Sequence, residues 1–332
     1  MCGEGGTVFV GERAGADGRL MLVDTPSLYF RSFFGVPRSV RAPDGTPVNA
    51  VRGLLDVLAR QIGEVRPKRV VACFDADWRP AFRVALLASY KAHRVADVGA
   101  GGGVGAGGGG AGQVERVDGD LLAQLPIIDE VLDAFGIARA EAAGFEADDV
   151  IATLATRHRG EVDILTGDRD LFQLVDDAAG VRVRYAVEKF AVVDEAAVTA
   201  RYGVPGRAYA DFAVLRGDPS DGLPGVAGIG AKTAAALLTQ FGSLAAVLAA
   251  VDADGGAGLP AGARRRLRGA RDYVRAAVGV VAVVRDVPVG AFADLLPAAP
   301  VDPAAVGALA ERWGLTGSCT RLVRALAEAA GG

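Results

Sequence analysis

Short apolar runs that lead to an acidic residue alternate along the chain with stretches of helical periodicity. The runs 20–24, 69–75 and 162–166 are largely apolar, and an aspartate ends or closely follows each one. Between the first two runs, apolar residues recur at helical spacing from Val51 to Ile62. Strands that alternate with helices imply a parallel sheet covered by helices on both faces. The pattern therefore predicts an α/β fold with a mostly parallel central sheet flanked by helices.

The pattern changes after about residue 200, where helical segments and glycine-rich turns replace the strands. One later apolar run, Val280–Val284, indicates a further strand. We therefore predict an N-terminal extension (1–19), an α/β core (20–200) and a helical second subdomain (201–332). Residues 99–112 contain ten glycines in fourteen positions, and such a stretch buries too little surface to offset its ordering entropy. We expect it to be a flexible loop inserted within the core.

Composition narrows the class of protein and the kind of site. The 332 residues are 51% hydrophobic and 23% charged, as is typical of a globular protein rather than a disordered one. Three scattered cysteines and two histidines exclude a disulfide framework, a cysteine zinc site and a histidine-rich metal site. No apolar run reaches the eighteen residues of a membrane span, and the N-terminus does not resemble a signal peptide. We expect a cytoplasmic protein with no membrane partner.

Acidic residues stand where the carboxyl ends of the predicted strands would meet, which is the edge where parallel α/β sheets bind ligands. Others open a predicted helix or lie in a Gly/Pro-rich turn. Taken singly, such acids are common as helix caps and turn residues, so the prediction depends on the joint pattern. The set comprises Asp24, Asp75, Glu146, Asp148, Asp149, Asp168, Asp170, Asp218 and Asp221.

Convergence of these carboxylates would require bridging cations. Two carboxylates 4 Å apart repel by about 4 kcal/mol at an effective dielectric of 20. Ligand sets made only of oxygen favour Mg²⁺ or Mn²⁺ over zinc. Two such ions about 4 Å apart are a common device for hydrolysing phosphodiesters. The acids therefore predict a two-metal hydrolytic site.

The segment GVAGIGAKT (Gly225–Thr233) is suited to binding phosphate. Its glycines allow tight turns, and the helix that follows offers free N–H groups, with Lys232 and Thr233 adding a charge and a hydroxyl. A plain turn between helices is the alternative. The glycines are Gly225, Gly228 and Gly230.

A second basic feature follows, with four arginines at 4-3-4 spacing on one predicted helix face: Arg264, Arg268, Arg271 and Arg275. It fits a solvated surface as well as contact with DNA. The chain carries a net charge of −4, but without the nine acids the remainder would carry about +5. A basic surface around a metal cleft suits a phosphate backbone.

The motifs together resemble the prokaryotic 5′-nuclease family, which comprises the 5′–3′ exonuclease domain of bacterial DNA polymerase I and free-standing bacterial and phage flap endonucleases. The resemblance runs from Leu20 to about Ala330 in matching order: LMLVD, VVACFDADWRPAFR, YKAHR, GFEADDVIATLA, ILTGDRDLFQLV, LRGDPSDGLPGVAGIGAKTA and VVRDVPV. It implies a PIN-like core with a helical arch, a helix–three-turn–helix element at 217–241, and a stand-alone, monomeric nuclease.

The resemblance also implies a role for each site residue. One metal ion would be held by Asp24, Asp75 and Asp148, and a second by Asp168, Asp170 and Asp221. Direct or water-mediated contacts to the ions would come from Glu146, Asp149 and Asp218. Basic residues near the scissile phosphate would be Arg31, Arg83, Lys91 and Arg94, the last two at the base of the arch. The glycine-rich element would grip duplex DNA and bind K⁺ at its turn carbonyls.

The expected activity is hydrolysis of DNA at single-strand/duplex junctions with two or three Mg²⁺ or Mn²⁺ ions, in flap or primer removal and repair. Substrates would be 5′ flaps, 5′ overhangs, nicks and gaps, and RNA–DNA hybrids. Two alternatives stay open: a non-catalytic junction-binding paralogue, and a compact RNase of the related α/β metal-nuclease type.

Three departures from the family pattern bear on these expectations. The family usually has glycine after the first aspartate, where Thr25-Pro26 stand here. Gly222 replaces the family's asparagine, and the stretch 99–112 is inserted after the first basic residues of the arch.

Overall fold

A computed structural model describes residues 18–96, 113–253 and 258–331. The predicted glycine-rich loop at 99–112 and most of the predicted N-terminal extension lie outside these residues. Within them, six strands form one sheet: β1 (Leu20–Asp24), β2 (Arg69–Cys73), β3 (Ala138–Ala140), β4 (Val162–Thr166), β5 (Val181–Tyr185) and β6 (Ala191–Val193). The order across the sheet is β3-β2-β1-β4-β5-β6, and only β6 is antiparallel to its neighbour. The predicted α/β class with a mostly parallel sheet is confirmed.

Helices cover the sheet and build the second half of the chain. The described segments contain α1 (Thr25–Gly35), α2 (Asn49–Val65), α3 (Ala81–Leu86), α4 (Gly119–Leu122), α5 (Leu125–Phe135), α6 (Ala147–Arg157), α7 (Glu195–Tyr202), α8 (Tyr209–Arg216), α9 (Ala231–Phe241), α10 (Leu244–Asp252), α11 (Ala261–Gly269), α12 (Arg271–Val281), α13 (Pro303–Arg312) and α14 (Thr316–Ala330). Among the residues described, no single helix is long and apolar enough to cross a membrane; α9 and α10 pass that test only as a pair joined across an 83° bend.

The central strand β1 divides the apolar core into two layers. Leu20 and Leu22 belong to one buried cluster, whereas Met21 and Val23 belong to a second cluster on the other face of the sheet. This follows from the alternation of side chains along a strand. The four consecutive apolar residues of this strand are therefore buried on both faces, as the sequence predicts.

The first cluster continues without interruption into the helical half of the chain. Phe172, Tyr202, Tyr209 and Phe212 pack as one aromatic group with ring centroids 5.0–6.1 Å apart. Helices α8 to α12 extend the same core. The core thus runs across the division that the sequence suggests near residue 200.

Two segments of the second half differ from the sequence-based expectation. The predicted strand Val280–Val284 is wrong, because α12 continues to Val281 and residues 282–284 leave the helix without forming a strand. Helices α13 and α14 do not join the helical subdomain, in which the prediction places them. They pack on the opposite face of the sheet, with α14 against α2 and α13 against α5.

The strand order places a crevice beside β1. Successive strands run outward from β1 on one side and from β4 on the other, so the direction of winding reverses between these two strands. Ligands of open α/β sheets bind at such a reversal, beyond the carboxyl ends of the strands. Asp24 ends β1, and Asp168 lies two residues beyond β4.

Candidate active site and nucleic-acid interface

A cleft of about 490 Å³ opens at this reversal and is lined by charged residues of both signs. The acids of its wall are Asp24, Asp75, Glu115, Glu146, Asp148 and Asp168. The basic residues are Arg31, Lys91, Arg94 and Arg116. The wall also contains Phe30, Trp78 and His93. Strand ends, a helix start and the two segments that flank residues 97–112 therefore converge on one cleft.

The first two aspartates are fixed by backbone and hydroxyl groups. Asp24 accepts hydrogen bonds from the Ser27 N–H (3.2 Å) and the Thr166 hydroxyl (2.5 Å), and so it caps α1. Proline is tolerated in the first turn of a helix because no intrahelical N–H bond is lost there. The Thr25-Pro26 departure therefore leaves Asp24 in place. Asp75 accepts a hydrogen bond from the Ala147 N–H (2.7 Å) at the start of α6.

Burial among like charges makes these carboxyls weak acids. Burial raises the pKa of Asp24 to about 7, with Asp168 and Asp75 adding repulsion. Burial, followed by repulsion from Glu146, raises the pKa of Asp75 to about 6. Burial, followed by repulsion from Asp168 and Asp24, raises the pKa of Asp148 well above its usual range. A cation in the cleft would lower all three pKa values by opposing this repulsion.

Asp168, Asp170 and Asp221 form the continuation of the acidic wall. The Asp168 carboxylate accepts a hydrogen bond from the Asp170 N–H (2.8 Å), which fixes the turn after β4. Burial and the neighbouring Asp168 raise the pKa of Asp170 well above its usual range. Burial likewise raises the pKa of Asp221 to about 6, and Asp168 adds to the shift.

The donor set fits hard divalent cations, although the acids line the walls of the cleft rather than enclose one point. Within the described segments, no three acidic, histidine or cysteine side chains are arranged around a single metal position. The metal-binding residues assigned from the sequence supply only carboxylate oxygens, which suit Mg²⁺ or Mn²⁺. Burial, with repulsion from neighbouring acids, raises the pKa of Asp24 and Asp75, so a bound cation would favour their ionised form.

Arg83 and Asp149, both predicted for the site, form a buried ion cluster with Glu146 behind the cleft wall. Arg83 is 2% exposed, and its guanidinium donates to both Asp149 oxygens (2.7 and 2.9 Å) and to Glu146. A fourth bond runs from Arg83 Nε to the Val280 carbonyl (3.0 Å). Asp149 also accepts from the Val284 N–H (2.8 Å). Arg83 and Asp149 are therefore committed to holding α6 and α12, and we reassign them from the predicted phosphate and metal contacts to this structural role.

Glu146 connects that buried cluster to the cleft. It accepts hydrogen bonds from the Tyr90 hydroxyl (2.7 Å) and from Lys91 as well as from Arg83. Burial opposes ionisation of Glu146, but Lys91 and Arg83 outweigh it and lower its pKa below the usual range. Glu146 is consequently an ionised carboxylate whose charge is already balanced by two cations.

The other predicted basic residues face the cleft. Arg94 donates to the Asp221 carboxylate (3.1 Å) and to the Ser220 carbonyl (2.9 Å), and its side chain stays about one-third exposed. Arg31 is exposed, with a long contact of 3.5 Å to the Ala186 carbonyl. Lys91, Arg94 and Arg31 thus lie around the acidic wall, as a site for a phosphodiester requires.

Asp218 lies next to this wall, close enough for its charge to add to the raised pKa of Asp170. Its carboxylate is 3% exposed and pairs with Arg169 (3.2 Å) and Arg216 (3.0 Å) while accepting from the Ser220 N–H (3.0 Å). These partners fix the turn that presents Asp221. Asp218 thus shapes this turn, and its contact with a metal ion, direct or through water, stays a prediction.

The glycine-rich turn before α9 presents backbone N–H groups and cations on one surface. Gly225 has a φ of +72°, and a Cβ there would lie 2.4 Å from the Arg216 carbonyl oxygen, so only glycine fits. Gly228 (φ +76°) lies against the guanidinium of Arg266, which the sequence does not single out. Gly230 opens α9 without any side-chain cap. The start of α9 therefore keeps donors for an anion, as its sequence predicts.

The four arginines expected on one helical face are divided by the break between α11 and α12. Arg264 donates to the carbonyls of Val251 (3.0 Å) and Ala253, and Arg268 donates to Val251 (3.2 Å). Arg271 pairs with Asp252. These three arginines stabilise the end of α10, and the continuous DNA-facing stripe is not formed.

Two family descriptions match consecutive parts of the chain. "5′-3′ exonuclease, N-terminal resolvase-like domain" matches residues 19–203, and "5′-3′ exonuclease, C-terminal SAM fold" matches residues 204–304. A Streptomyces coelicolor protein called 5′-3′ exonuclease is 57% identical over 309 residues, covering 92% of this chain and 99% of that protein. The chain belongs to the 5′–3′ exonuclease family.

Other relatives agree with this assignment. A Mycobacterium tuberculosis 5′-3′ exonuclease is 49% identical and covers 92% of this chain and 97% of its own length. DNA polymerase I of the same organism is 38% identical over 239 residues, which are 70% of this chain and 24% of the polymerase. These relatives confirm the predicted family and the predicted 5′ nuclease function, and they give no support to the non-catalytic alternative.

The fold has solved counterparts of low sequence identity. A bacteriophage T5 flap endonuclease, in a pseudo-enzyme-product complex with DNA and metal ions, has a TM-score of 0.60 at 18% identity and covers 95% of this chain and 100% of that one. The catalytic core of Rad2 in complex with DNA substrate has a TM-score of 0.56 at 16% identity, and the match covers 93% of this chain and 92% of that one. These likenesses extend the shared fold across both halves of the chain.

Sequence reasoning misses the residues that return to the cleft after the glycine-rich stretch. Arg116 N–H donates to the Arg94 carbonyl (2.7 Å), and Ala96 N–H donates to the Val114 carbonyl (2.9 Å), so both ends of the stretch pair at the cleft. This pairing brings Glu115 into the wall, where burial and the charge of Asp75 raise its pKa to about 7. No local signal marks Glu115, because its position depends on pairing across the insertion.

Proposed function

We propose that this 5′–3′ exonuclease requires divalent metal ions and cleaves DNA at junctions between single-stranded and duplex segments. Substrates are 5′ flaps, 5′ overhangs, nicks and gaps, with RNA–DNA hybrids included. The ions are two or three Mg²⁺ or Mn²⁺ ions, and the protein works as a cytoplasmic monomer in flap or primer removal and repair. K⁺ binding at the glycine-rich turn is part of the same proposal.

The observation that supports this proposal best is the cleft itself, because an acidic wall stands opposite basic side chains. Asp24, Asp75, Asp148 and Asp168 line it together. Burial and the neighbouring acids raise the pKa of the first three, and a bound cation would stabilise their ionised form. When bound, divalent ions would activate a water molecule and neutralise charge on the phosphate. Asp170 and Asp221 extend the same acidic wall toward a second ion.

The chain's own cations position the phosphodiester. Lys91 and Arg94 lie beside the acids and provide donors for the non-bridging oxygens of the phosphate. Arg31, on α1, provides a further guanidinium at the cleft. Arg binds a phosphate with two parallel hydrogen bonds, which fixes its orientation. The arrangement favours hydrolysis over a covalent mechanism, because no serine, cysteine or histidine nucleophile is needed when water is activated in this way.

The glycine-rich turn supports binding to duplex DNA. The free N–H groups at the start of α9, Lys232 and Arg266 form one exposed surface for backbone phosphates. This feature favours a junction nuclease over the compact RNase alternative, which has no use for such an element. Comparing cleavage of matched DNA and RNA junctions separates the two functions.

The testing experiment uses a duplex with a 5′ single-stranded flap, labelled at its 5′ end. Cleavage is compared in Mg²⁺, Mn²⁺ and EDTA for the natural protein and for Asp148→Asn. We expect release of an intact flap oligonucleotide in either metal, no product in EDTA, and a loss of at least a thousandfold in rate for Asp148→Asn. The variant should bind the same DNA within about threefold of the natural protein. Product formed in EDTA, or an unimpaired variant, would refute the proposed site.

A further inference from the structure

The loop Ala88–Arg94, called here the arch base, is bonded to the turn that carries Asp221. Lys91 N–H donates to the Asp221 carbonyl (3.0 Å), and the Ser89 hydroxyl donates to the Gly222 carbonyl (2.8 Å). Gly222 has a φ of +74°, and a Cβ there would lie 2.1 Å from the Ser89 carbonyl oxygen. The arch base and this turn therefore form one closely packed unit.

A single buried guanidinium holds the arch base in shape. Arg79 is 3% exposed, and it donates from Nε to the Tyr90 carbonyl (2.5 Å) and from Nη2 to the Ala88 carbonyl (2.7 Å). Its remaining terminal nitrogen donates to the side chain of Gln113, which lies where the chain returns after the glycine-rich stretch. One side chain thus joins the arch base to Gln113, on the far side of residues 97–112 in the sequence.

The conformation that Arg79 holds is an unfavourable one for the chain. Lys91 adopts a left-handed φ of +47°, which costs a residue other than glycine about 1 kcal/mol or more. In this conformation its ammonium reaches Glu146, and its N–H reaches the Asp221 carbonyl. The bonds from Arg79 to the carbonyls on either side of Ser89 act together with the bonds to the Asp221 turn to hold Lys91 in this conformation.

We propose that Arg79 is a positioning residue for cleavage, which acts by holding the arch base so that Lys91 faces the acidic cleft. It does not contact the cleft itself, since Arg79 is absent from the lining residues. The inference rests on the proposed function, because it assumes that Lys91 contributes to hydrolysis. It adds a residue that neither the sequence pattern nor the cleft reveals.

A double-mutant cycle with a 5′-flap DNA substrate in Mg²⁺ tests this inference. Single-turnover rates are measured for the natural protein, Arg79→Ala, Lys91→Ala and the double variant. If Arg79 acts through Lys91, Arg79→Ala should lower the rate at least tenfold in the natural background but less than twofold in the Lys91→Ala background. Equal losses in both backgrounds, or no loss in either, would overturn the proposal.

Two further variants separate positioning from general loss of structure. Arg264 also bonds backbone carbonyls but does so at the end of α10, away from the cleft, so Arg264→Ala should cleave within twofold of the natural protein. Arg79→Lys keeps the charge but cannot reach three acceptors at once, and it should recover only part of the rate. Thermal unfolding of each variant ensures that all rates are compared among folded proteins. A full recovery by lysine would show that charge alone suffices and would contradict the proposal.

A readout without substrate distinguishes failure of this inference from failure of the proposed function. The chain has two tryptophans, so Trp313→Phe leaves only Trp78, which is 2% exposed and adjacent to Arg79. Its emission should shift to longer wavelength on Arg79→Ala, because the loosened arch base admits water, and should stay unchanged on Arg264→Ala. An unchanged spectrum would contradict the inference even if the natural protein cleaves flaps.

Discussion

Replacing Arg83 by methionine tests the reassignment of the buried ion cluster. The arginine side chain is 3% exposed and neutralises Glu146 and Asp149, whose side chains are 4% and 0% exposed. Removing one partner of a buried ion pair costs about 3–5 kcal/mol, because the remaining charge stays buried without compensation. Methionine keeps most of the volume, so a cavity contributes little. We expect the free energy of unfolding to fall by about 3–5 kcal/mol in urea titrations followed by circular dichroism.

The matched control is Arg139→Met, at an exposed cluster that also consists of one arginine and two carboxylates. Arg139 also pairs with two carboxylates, Asp129 (2.8 Å) and Asp133 (3.0 Å), but all three side chains are more than one-third exposed. Exposed pairs contribute about 0–1 kcal/mol, so this variant should differ little from the natural protein. A loss below 1 kcal/mol for Arg83→Met, or equal losses for both variants, would refute the assignment of Arg83 to a stabilising buried cluster.

Three further predictions follow from the cleft and the glycine-rich turns. In EDTA the melting temperature should rise as the pH falls from 8 to 5. The pKa of Asp24 is about 7 in the folded chain and about 4 in the unfolded chain, so the folded chain binds a proton first and its free energy of unfolding rises by up to about 1.4 kcal/mol per proton per pH unit. Asp24→Asn or saturating Mg²⁺ should flatten this trend, and a melting temperature that falls over the same range would contradict it. Gly222→Ala should destabilise the folded chain by about 1–3 kcal/mol in urea titrations, because residue 222 has a positive φ and a Cβ there would approach the Ser89 carbonyl. Gly222→Asn, which introduces the usual family residue, should be destabilised as well because it adds the same Cβ. Stability equal to that of the natural protein would exclude this steric account. Lys232→Ala and Arg266→Ala should each weaken duplex binding three- to tenfold in fluorescence anisotropy and reduce the salt dependence by about one ion, whereas salt titrations that superimpose on those of the natural protein would show that these side chains lie off the DNA.

The parts of the fold that are predictable from sequence are those governed by local pattern. Both strands 20–24 and 162–166 have the expected bounds, because continuous apolar residues in short runs indicate buried strands. The acids at their ends follow from the geometry of parallel sheets. The run at 280–284 shows the limit of this reasoning, since a short apolar run can also begin in the last turn of a helix and continue into a loop.

The remaining features depend on contacts between residues that are distant in sequence. Arg83 and Asp149 have the spacing and chemistry of site residues, and only their burial against one another and against α12 excludes them from the cleft. Glu115 enters the cleft by pairing of segments on either side of an insertion. The pattern of a single sequence contains no information on such partners. It selects acids and arginines by residue type and position, but it does not distinguish residues that line the cleft from residues that support it.

The packing of α14 on α2 has a consequence for synthesis of the chain. The apolar face of α2, with Leu54, Leu58 and Ile62, is completed by Leu322 and Leu326 near the other end of the sequence. At a translation rate of about 5–20 residues per second, α14 emerges roughly 13–50 s after α2. During that interval the growing chain presents an uncovered apolar helix face. Folding of this layer is therefore completed only after synthesis reaches the last helix, and chaperones that bind exposed apolar segments have this window in which to act.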